Sequence, residues 1–138
     1  MLSKPIEPFR VLKSRTVVLP QENIDKERKI GRLQRETFQR AVKAGVKMAF
    51  GTDAGVYPHG DNAKQLATMV QWGMTPAQAL KTITYNSADL IGHLKDVGTI
   101  ESGKYADIIA VTGDPIQDIT TMQHVGFVMK GGVVAKPN

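Results

Sequence analysis

A single short apolar run, residues 46–50 (VKMAF), most constrains the fold of this chain, because helical patterns lie on both sides of it. Apolar residues recur at steps of three and four over 24–44 and again over 61–73, as they do on one face of a helix. A strand between helices belongs to a parallel sheet, where it needs parallel neighbours on either side. The pattern therefore predicts an α/β protein that carries the closing βα units of a barrel.

The helix boundaries carry recognisable signals. Gly45 is placed to end the first helix and Asp61 to cap the second. The stretch TPAQ at 75–78 combines a capping box with proline at the first helical position, which predicts a further helix start. Asn86 or Ser87 is predicted to cap a last short helix.

After residue 93 the pattern changes to short strands. The sequence ADIIAV at 106–111 is nearly all apolar, as expected for a strand covered on both faces. Residues 127–130 and 133–136 flank Gly131-Gly132, the two-residue link of a β-hairpin. We therefore divide the chain into an irregular lead-in (1–23), the last βα units of a barrel (24–93) and a small C-terminal β segment (94–138).

Composition and charge exclude several classes of protein. Much of the net charge of +5 lies in residues 25–43, where no aromatic residues alternate with the basic ones to stack bases, so we expect no nucleic-acid partner. No run approaches the roughly 18 apolar residues of a membrane span, and no signal peptide is recognisable. The chain has no cysteine, which excludes disulfides and thiolate metal sites and favours a soluble protein of the cytoplasm.

Asp53 is the candidate catalytic residue, because it follows the apolar run in the sequence GTDAG. Barrel enzymes place their catalytic groups at the carboxyl ends of the strands. A carboxylate there can bind a divalent metal and accept a proton from water. The flanking Gly51 and Gly55 allow tight turns and a close approach by a ligand. Asp53 as a turn residue or helix cap is an equally good interpretation of these residues alone.

Two longer stretches resemble a known family. The first is KMAFGTDAGVYPHGDNAKQLATMVQWGMTPAQALKTITYNSADLIG, and the second is VGTIESGKYADIIAVTGDPIQDITTMQHVGFVMKGGVVAK, which contains G-x-I-x-x-G-K-x-A-D-I. Together they resemble the C-terminal part of a metal-dependent amidohydrolase, in the branch of imidazolonepropionase-like enzymes and Xaa-Pro dipeptidases. The resemblance covers residues 24–137 and implies a TIM-type (β/α)₈ barrel followed by a small β-sandwich segment.

The resemblance also implies roles for individual residues. Asp53 matches the aspartate that ends the eighth barrel strand, where it is a ligand of a divalent metal, here expected to be zinc, and the general base. His59 falls in the following loop and is a candidate substrate contact, local packing being the alternative. We expect no functional role for His93 or His124. The implied reaction is hydrolysis of a C–N bond in a small amide or dipeptide substrate.

The chain also departs from the family pattern. It has no His-x-His sequence, and nothing before residue 24 resembles the earlier barrel strands. Closing such a barrel takes about 250 residues, and catalytic zinc typically uses about three protein ligands. We therefore expect an incomplete barrel that is inactive alone and needs a missing N-terminal part as its partner. The alternative is a non-catalytic module that acts by association, including self-association.

Overall fold

The computed structural model describes residues 20–54 and 59–136, so most of the predicted lead-in, 1–19, lies outside the described residues. Within the described ranges the chain forms four α-helices, two 3₁₀ turns and three β-strands. No helix in these ranges combines the length and the apolar character that crossing a bilayer requires.

Helix α1 (Gln21–Lys43) confirms the first predicted helix and begins three residues earlier than expected. At its end, the Gly45 N–H donates to the Val42 carbonyl and the Val46 N–H donates to the Ala41 carbonyl, both at 3.0 Å. Gly45 has a φ of +70°, which a residue without Cβ adopts at little cost. These are the two bonds of a Schellman motif, so Gly45 ends the helix as predicted.

Three shorter helices follow: α2 (Lys64–Gln71), α3 (Pro76–Ile83) and α4 (Tyr85–Leu90). The capping box of α3 is confirmed, because Thr75 Oγ1 accepts from the Gln78 N–H at 3.2 Å and Gln78 Oε1 accepts from the Thr75 N–H at 2.8 Å. Asp61 as the cap of α2 is wrong. It ends a 3₁₀ turn before the helix, and its carboxylate pairs with Lys64 at 2.7 Å instead.

Residues 46–50, predicted as a strand, form no strand in the described part of the chain. A strand is defined by its pairing with a neighbour, and the described sheet contains only strands from the C-terminal segment. The apolar sequence therefore favours a strand, but residues 20–54 and 59–136 contain no partner strand for it.

The core lies where α2 and α3 meet the 3₁₀ turn Ile119–Gln123. Its buried side chains are Leu66, Met69, Met74, Ala79, Ile119 and Met122. Phe38 of α1 packs against this cluster and meets Trp72 edge to face, with 5.9 Å between the ring centroids. The helices and the C-terminal segment therefore share one core.

Strands β1 (Ile108–Val111), β2 (Val125–Lys130) and β3 (Val133–Lys136) form one antiparallel sheet in that order. Gly131 and Gly132 have φ values of +56° and +81°, as a type I′ turn requires, which confirms the hairpin. Cover on both faces of β1 is wrong for the described residues, because Ile109 is 49% exposed and no second sheet lies there. The β-sandwich expected from the family is thus represented by a single sheet.

Asp107, directly before β1, is expected to make stability depend on pH. Its Oδ2 pairs with Lys130 Nζ, and its Oδ1 accepts from the Gly131 N–H at 2.7 Å. The hydrogen bond from Lys130, followed by that from Gly131, lowers the pKa of Asp107 from its ordinary 3.8. A pKa lowered by folding adds stability that is complete above about pH 4 and is lost as the pH falls through the folded-state pKa.

The variant Asp107→Asn tests this linkage by urea unfolding at a series of pH values. We expect it to be less stable than wild type at neutral pH, and we expect the difference in the free energy of unfolding to shrink on acidification. Lys130→Gln removes one of the two partners and should give a smaller effect in the same direction. A difference that stays constant across the acid range would contradict the prediction.

Candidate functional site

The apolar segment that leads into GTDAG is held from one side by α3 and α4. The Met48 carbonyl accepts from Asn86 Nδ2 at 2.8 Å. The Phe50 N–H donates to Ser87 Oγ at 3.3 Å and to the Thr82 carbonyl at 3.2 Å. Bonds at alternate residues follow the period of a β-strand, with side chains of α4 and a carbonyl of α3 in place of a neighbouring strand.

Asp53 stands at the end of this segment in an uncommon conformation. Its φ is +49°, and it is the one non-glycine residue of the described ranges with a positive φ. Aspartate tolerates this region better than most residues, yet such conformations cost about 1 to 3 kcal/mol and concentrate at functional sites. The side chain is exposed and makes no hydrogen bond or ion pair within the described residues. Its carboxylate is therefore accessible to a ligand.

A further hydrogen bond joins the residue before Asp53 to the end of the loop that follows it. Thr52 Oγ1 donates to Asn62 Oδ1 at 2.9 Å, which joins the segment to the start of α2. A cavity of about 280 Å³, lined mainly by apolar side chains, extends from Phe38 to Gly51. A Cβ added at Gly51 would meet nothing within 4 Å, so the described residues do not explain this glycine by steric crowding. Gly55 lies outside them.

The three histidines lie in different parts of the chain. His59 begins the 3₁₀ turn His59–Asp61, and its side chain lies outside the described residues, so its contact with substrate stays a prediction. His93 is exposed after α4, with Nδ1 3.0 Å from Asp96 Oδ2. His124 is exposed next to the C-terminal 3₁₀ turn.

The donor set of the described residues does not make a metal site by itself. No three of the His, Cys, Asp or Glu side chains that the structure describes lie close enough together to hold a metal ion. Asp53 offers carboxylate oxygens, which suit a divalent cation. It is one donor where a catalytic zinc site typically uses about three protein ligands.

Asn86 and Ser87 are the site residues whose contacts sequence reasoning missed. One or the other was predicted to cap the helix, but both lie inside α4, and the residue at its N-cap makes no side-chain cap bond. Their side chains bond to the apolar segment 37 and 38 positions earlier in the chain. No local pattern encodes such a contact, because it depends on how α4 packs.

Comparison with known proteins adds the family context. The sequence model of the amidohydrolase family matches residues 7–135. Ochratoxinase of Aspergillus niger is 38% identical over 106 residues, which is 73% of this chain and 22% of the relative. Imidazolonepropionase of Shouchella clausii is 32% identical over 101 residues, 67% of this chain and 22% of the relative.

Comparison with solved structures gives matches of the same kind. A Xaa-Pro dipeptidase with methionine bound in its active site aligns with a TM-score of 0.79 and 42% identity, covering 86% of this chain and 29% of that one. The A. niger ochratoxinase structure aligns with a TM-score of 0.76 and 34% identity, covering 87% and 28%. The chain thus spans less than a third of the length of the relatives it matches.

Proposed function

Since the chain belongs to the amidohydrolase family, we propose that it is the C-terminal segment of a metal-dependent hydrolase that cleaves C–N bonds in small amide or dipeptide substrates. In this proposal residues 24–93 supply the closing βα units of the barrel and residues 94–138 its C-terminal β segment. The rest of the barrel comes from polypeptide that the matched region does not include.

The single observation that carries the proposal is the conformation of Asp53. It combines a positive φ, an exposed carboxylate and a position at the end of a segment whose hydrogen bonds alternate as in a strand. A catalytic carboxylate at the end of a barrel strand must project beyond the strand and remain accessible. A turn aspartate can also adopt a positive φ, so the conformation supports the proposal only in combination with the exposure and the position of Asp53.

We assign Asp53 the role of general base. Its carboxylate takes a proton from the water that attacks the carbonyl carbon, and the same proton passes to the nitrogen when the C–N bond breaks. A positioned general base contributes about 100-fold to 10,000-fold to the rate of such reactions. His59, two residues before Asp61 in the same loop, is the proposed substrate contact.

The amidohydrolase family generally binds divalent metals, and we propose zinc here, with Asp53 as one of its ligands. The side chains that the structure describes bring no three donors together, so in this proposal the remaining ligands come from elsewhere. We therefore expect the chain alone to bind zinc weakly and to be inactive.

The alternative function is a non-catalytic association module. It draws support from a run of exposed apolar side chains around α4 and β1, namely Leu90, Ile91, Ile100, Tyr105 and Ile109. Exposed apolar surface of this kind marks sites where another polypeptide binds. The same surface would serve the first proposal, because a larger fold would cover it.

A reconstitution assay separates the two functions. The chain is co-expressed with the part of the matched Xaa-Pro dipeptidase that precedes its aligned region, and hydrolysis of a Xaa-Pro dipeptide is measured with added zinc. The aligned C-terminal part of that dipeptidase serves as the matched positive control. We expect hydrolysis with both C-terminal parts and none with either half alone.

Two outcomes would overturn parts of the proposal. Zinc-dependent hydrolysis by the chain alone would show that it holds a complete site. An inactive mixture, in an experiment where the dipeptidase's own C-terminal part restores activity, would contradict a catalytic role. Light scattering of the same samples would then report whether the chain self-associates, as the association module requires.

A further inference from the structure

Asn86 and Ser87 lie in the first turn of α4 and have no part in the proposed chemistry. We propose that they are positioning residues for Asp53, which they hold in place through the backbone of Met48 and Phe50. This inference rests on the proposed function of Asp53, since it assigns these two residues a purpose in that site.

The contacts are direct and partly shielded from water. Asn86 Nδ2 donates to the Met48 carbonyl at 2.8 Å, and Ser87 Oγ accepts from the Phe50 N–H at 3.3 Å. Ser87 Oγ in turn donates to the Thr82 carbonyl at 2.6 Å. Both side chains are half-buried, and α4 is thereby joined to the segment at two alternate residues.

These bonds matter because the segment has few others. In the part of the chain that the structure describes, the backbone groups of Lys47, Ala49 and Gly51 make no hydrogen bond. Besides the bond from Phe50 to the Thr82 carbonyl, Asn86 and Ser87 alone among the described residues form hydrogen bonds to the backbone of residues 47–51. Their loss would leave the approach to Asp53 largely without hydrogen bonds.

In this proposal Asn86 and Ser87 help to maintain the uncommon backbone conformation of Asp53. A residue at φ +49° persists only where the surrounding structure favours that conformation over the common ones. Asn86 and Ser87 hold the backbone at Met48 and Phe50, and Thr52, which directly precedes Asp53, is bonded to Asn62. All of these attachments lie within five residues before Asp53, so together they set the direction in which the chain presents its carboxylate.

Simple helix capping does not account for the pair. A capping side chain bonds to backbone N–H groups of its own helix, whereas Asn86 and Ser87 bond to Met48, Phe50 and Thr82, which all precede α4. Their contacts are tertiary, and the segment they reach is the one that ends in GTDAG.

The test uses NMR on the full chain without metal or substrate. Ser87→Ala and Asn86→Ala remove the bonds singly, and Ser87→Thr keeps the hydroxyl. Ser102→Ala, the same change at an exposed turn residue, is the matched control. Three quantities are measured: hydrogen exchange of the Phe50 amide, the three-bond HN–Hα coupling of Asp53, and the free energy of unfolding in urea.

We expect exchange of the Phe50 amide to rise about 3-fold to 10-fold in Ser87→Ala, as for the loss of one hydrogen bond. The Asp53 coupling should change in both alanine variants and return to the wild-type value in Ser87→Thr. Ser102→Ala should leave the exchange of the Phe50 amide and the Asp53 coupling unchanged. If Asn86→Ala does not fold, Asn86→Asp, which keeps the size and removes the donor, replaces it under the same criterion.

An unchanged Asp53 coupling in the folded Asn86 and Ser87 variants would overturn the inference, even if their stability fell. So would failure of Ser87→Thr to restore the coupling. The reconstitution assay is independent of these signals. A changed coupling together with an inactive reconstituted mixture would overturn the proposed function and leave the positioning of Asp53 standing.

Discussion

Replacing Asp53 by asparagine is expected to lower kcat/KM for Xaa-Pro dipeptide hydrolysis by the reconstituted enzyme about 100-fold or more, because the variant loses its general base. Asparagine is the informative substitution. It has nearly the same size and also tolerates positive φ, so the backbone at φ +49° should persist. The loss then reports on the chemistry of the carboxylate and not on a collapsed turn. The measurement is steady-state hydrolysis at saturating zinc.

Asp61→Asn is the matched control, because it makes the same change eight positions later. The Asp61 carboxylate pairs with Lys64 at 2.7 Å and has no assigned part in the reaction. We expect its activity to stay within about threefold of wild type, as for loss of a surface ion pair. Equal losses of activity in Asp53→Asn and Asp61→Asn would mean that either substitution disturbs the whole loop. An Asp53→Asn enzyme that stays active would contradict the role of Asp53 as general base.

Gly98→Ala is expected to lower the free energy of unfolding by about 2 to 5 kcal/mol, the largest stability effect that we predict. Gly98 has a φ of +97°, and a Cβ built there would lie 2.6 Å from the Cβ of Ala88. Ala88 is 3% exposed on the inner face of α4, so neither group has room to move. Backbone strain and the steric clash therefore add together. Urea unfolding measures the sum.

Gly103→Ala separates the two contributions. Gly103 belongs to the same G-x-I-x-x-G-K pattern and has a similar φ of +89°, but a Cβ there would meet nothing within 4 Å. We expect it to cost about 1 to 2 kcal/mol, from the backbone alone. If Gly98→Ala and Gly103→Ala lower the free energy of unfolding equally, then close packing of the turn against α4 is not the reason that position 98 requires glycine. Ala88→Gly should rescue part of the loss in Gly98→Ala, if the contact is direct.

The two glycines show how much a motif can and cannot tell. In the sequence they are equivalent members of one pattern, and positive φ could be expected at both. Their difference, a neighbour at 2.6 Å against open space, arises from the packing of α4 and is invisible without the structure.

Local signals were sufficient for two helix ends and for the hairpin, but not for the caps predicted at Asp61 and at Asn86 or Ser87. The capping box of Thr75 and Gln78, the helix end at Gly45 and the turn at Gly131 each depend on the backbone of a few consecutive residues. Where a prediction needed a distant partner, it failed: residues 46–50 found no neighbouring strand in the described ranges, and β1 lacks cover on one face.

For Asp53, too, some features could be predicted from the sequence and others required the structure. Its chemistry and its place after an apolar run could be read from GTDAG, and the family match supports the role proposed for it. Its positive φ, its exposed carboxylate and the hydrogen bonds that join the preceding segment to Asn86 and Ser87 emerged only from the folded chain. The physical reason is range: turns and caps form between near neighbours, whereas the direction of a catalytic side chain depends on contacts that packing creates between distant segments.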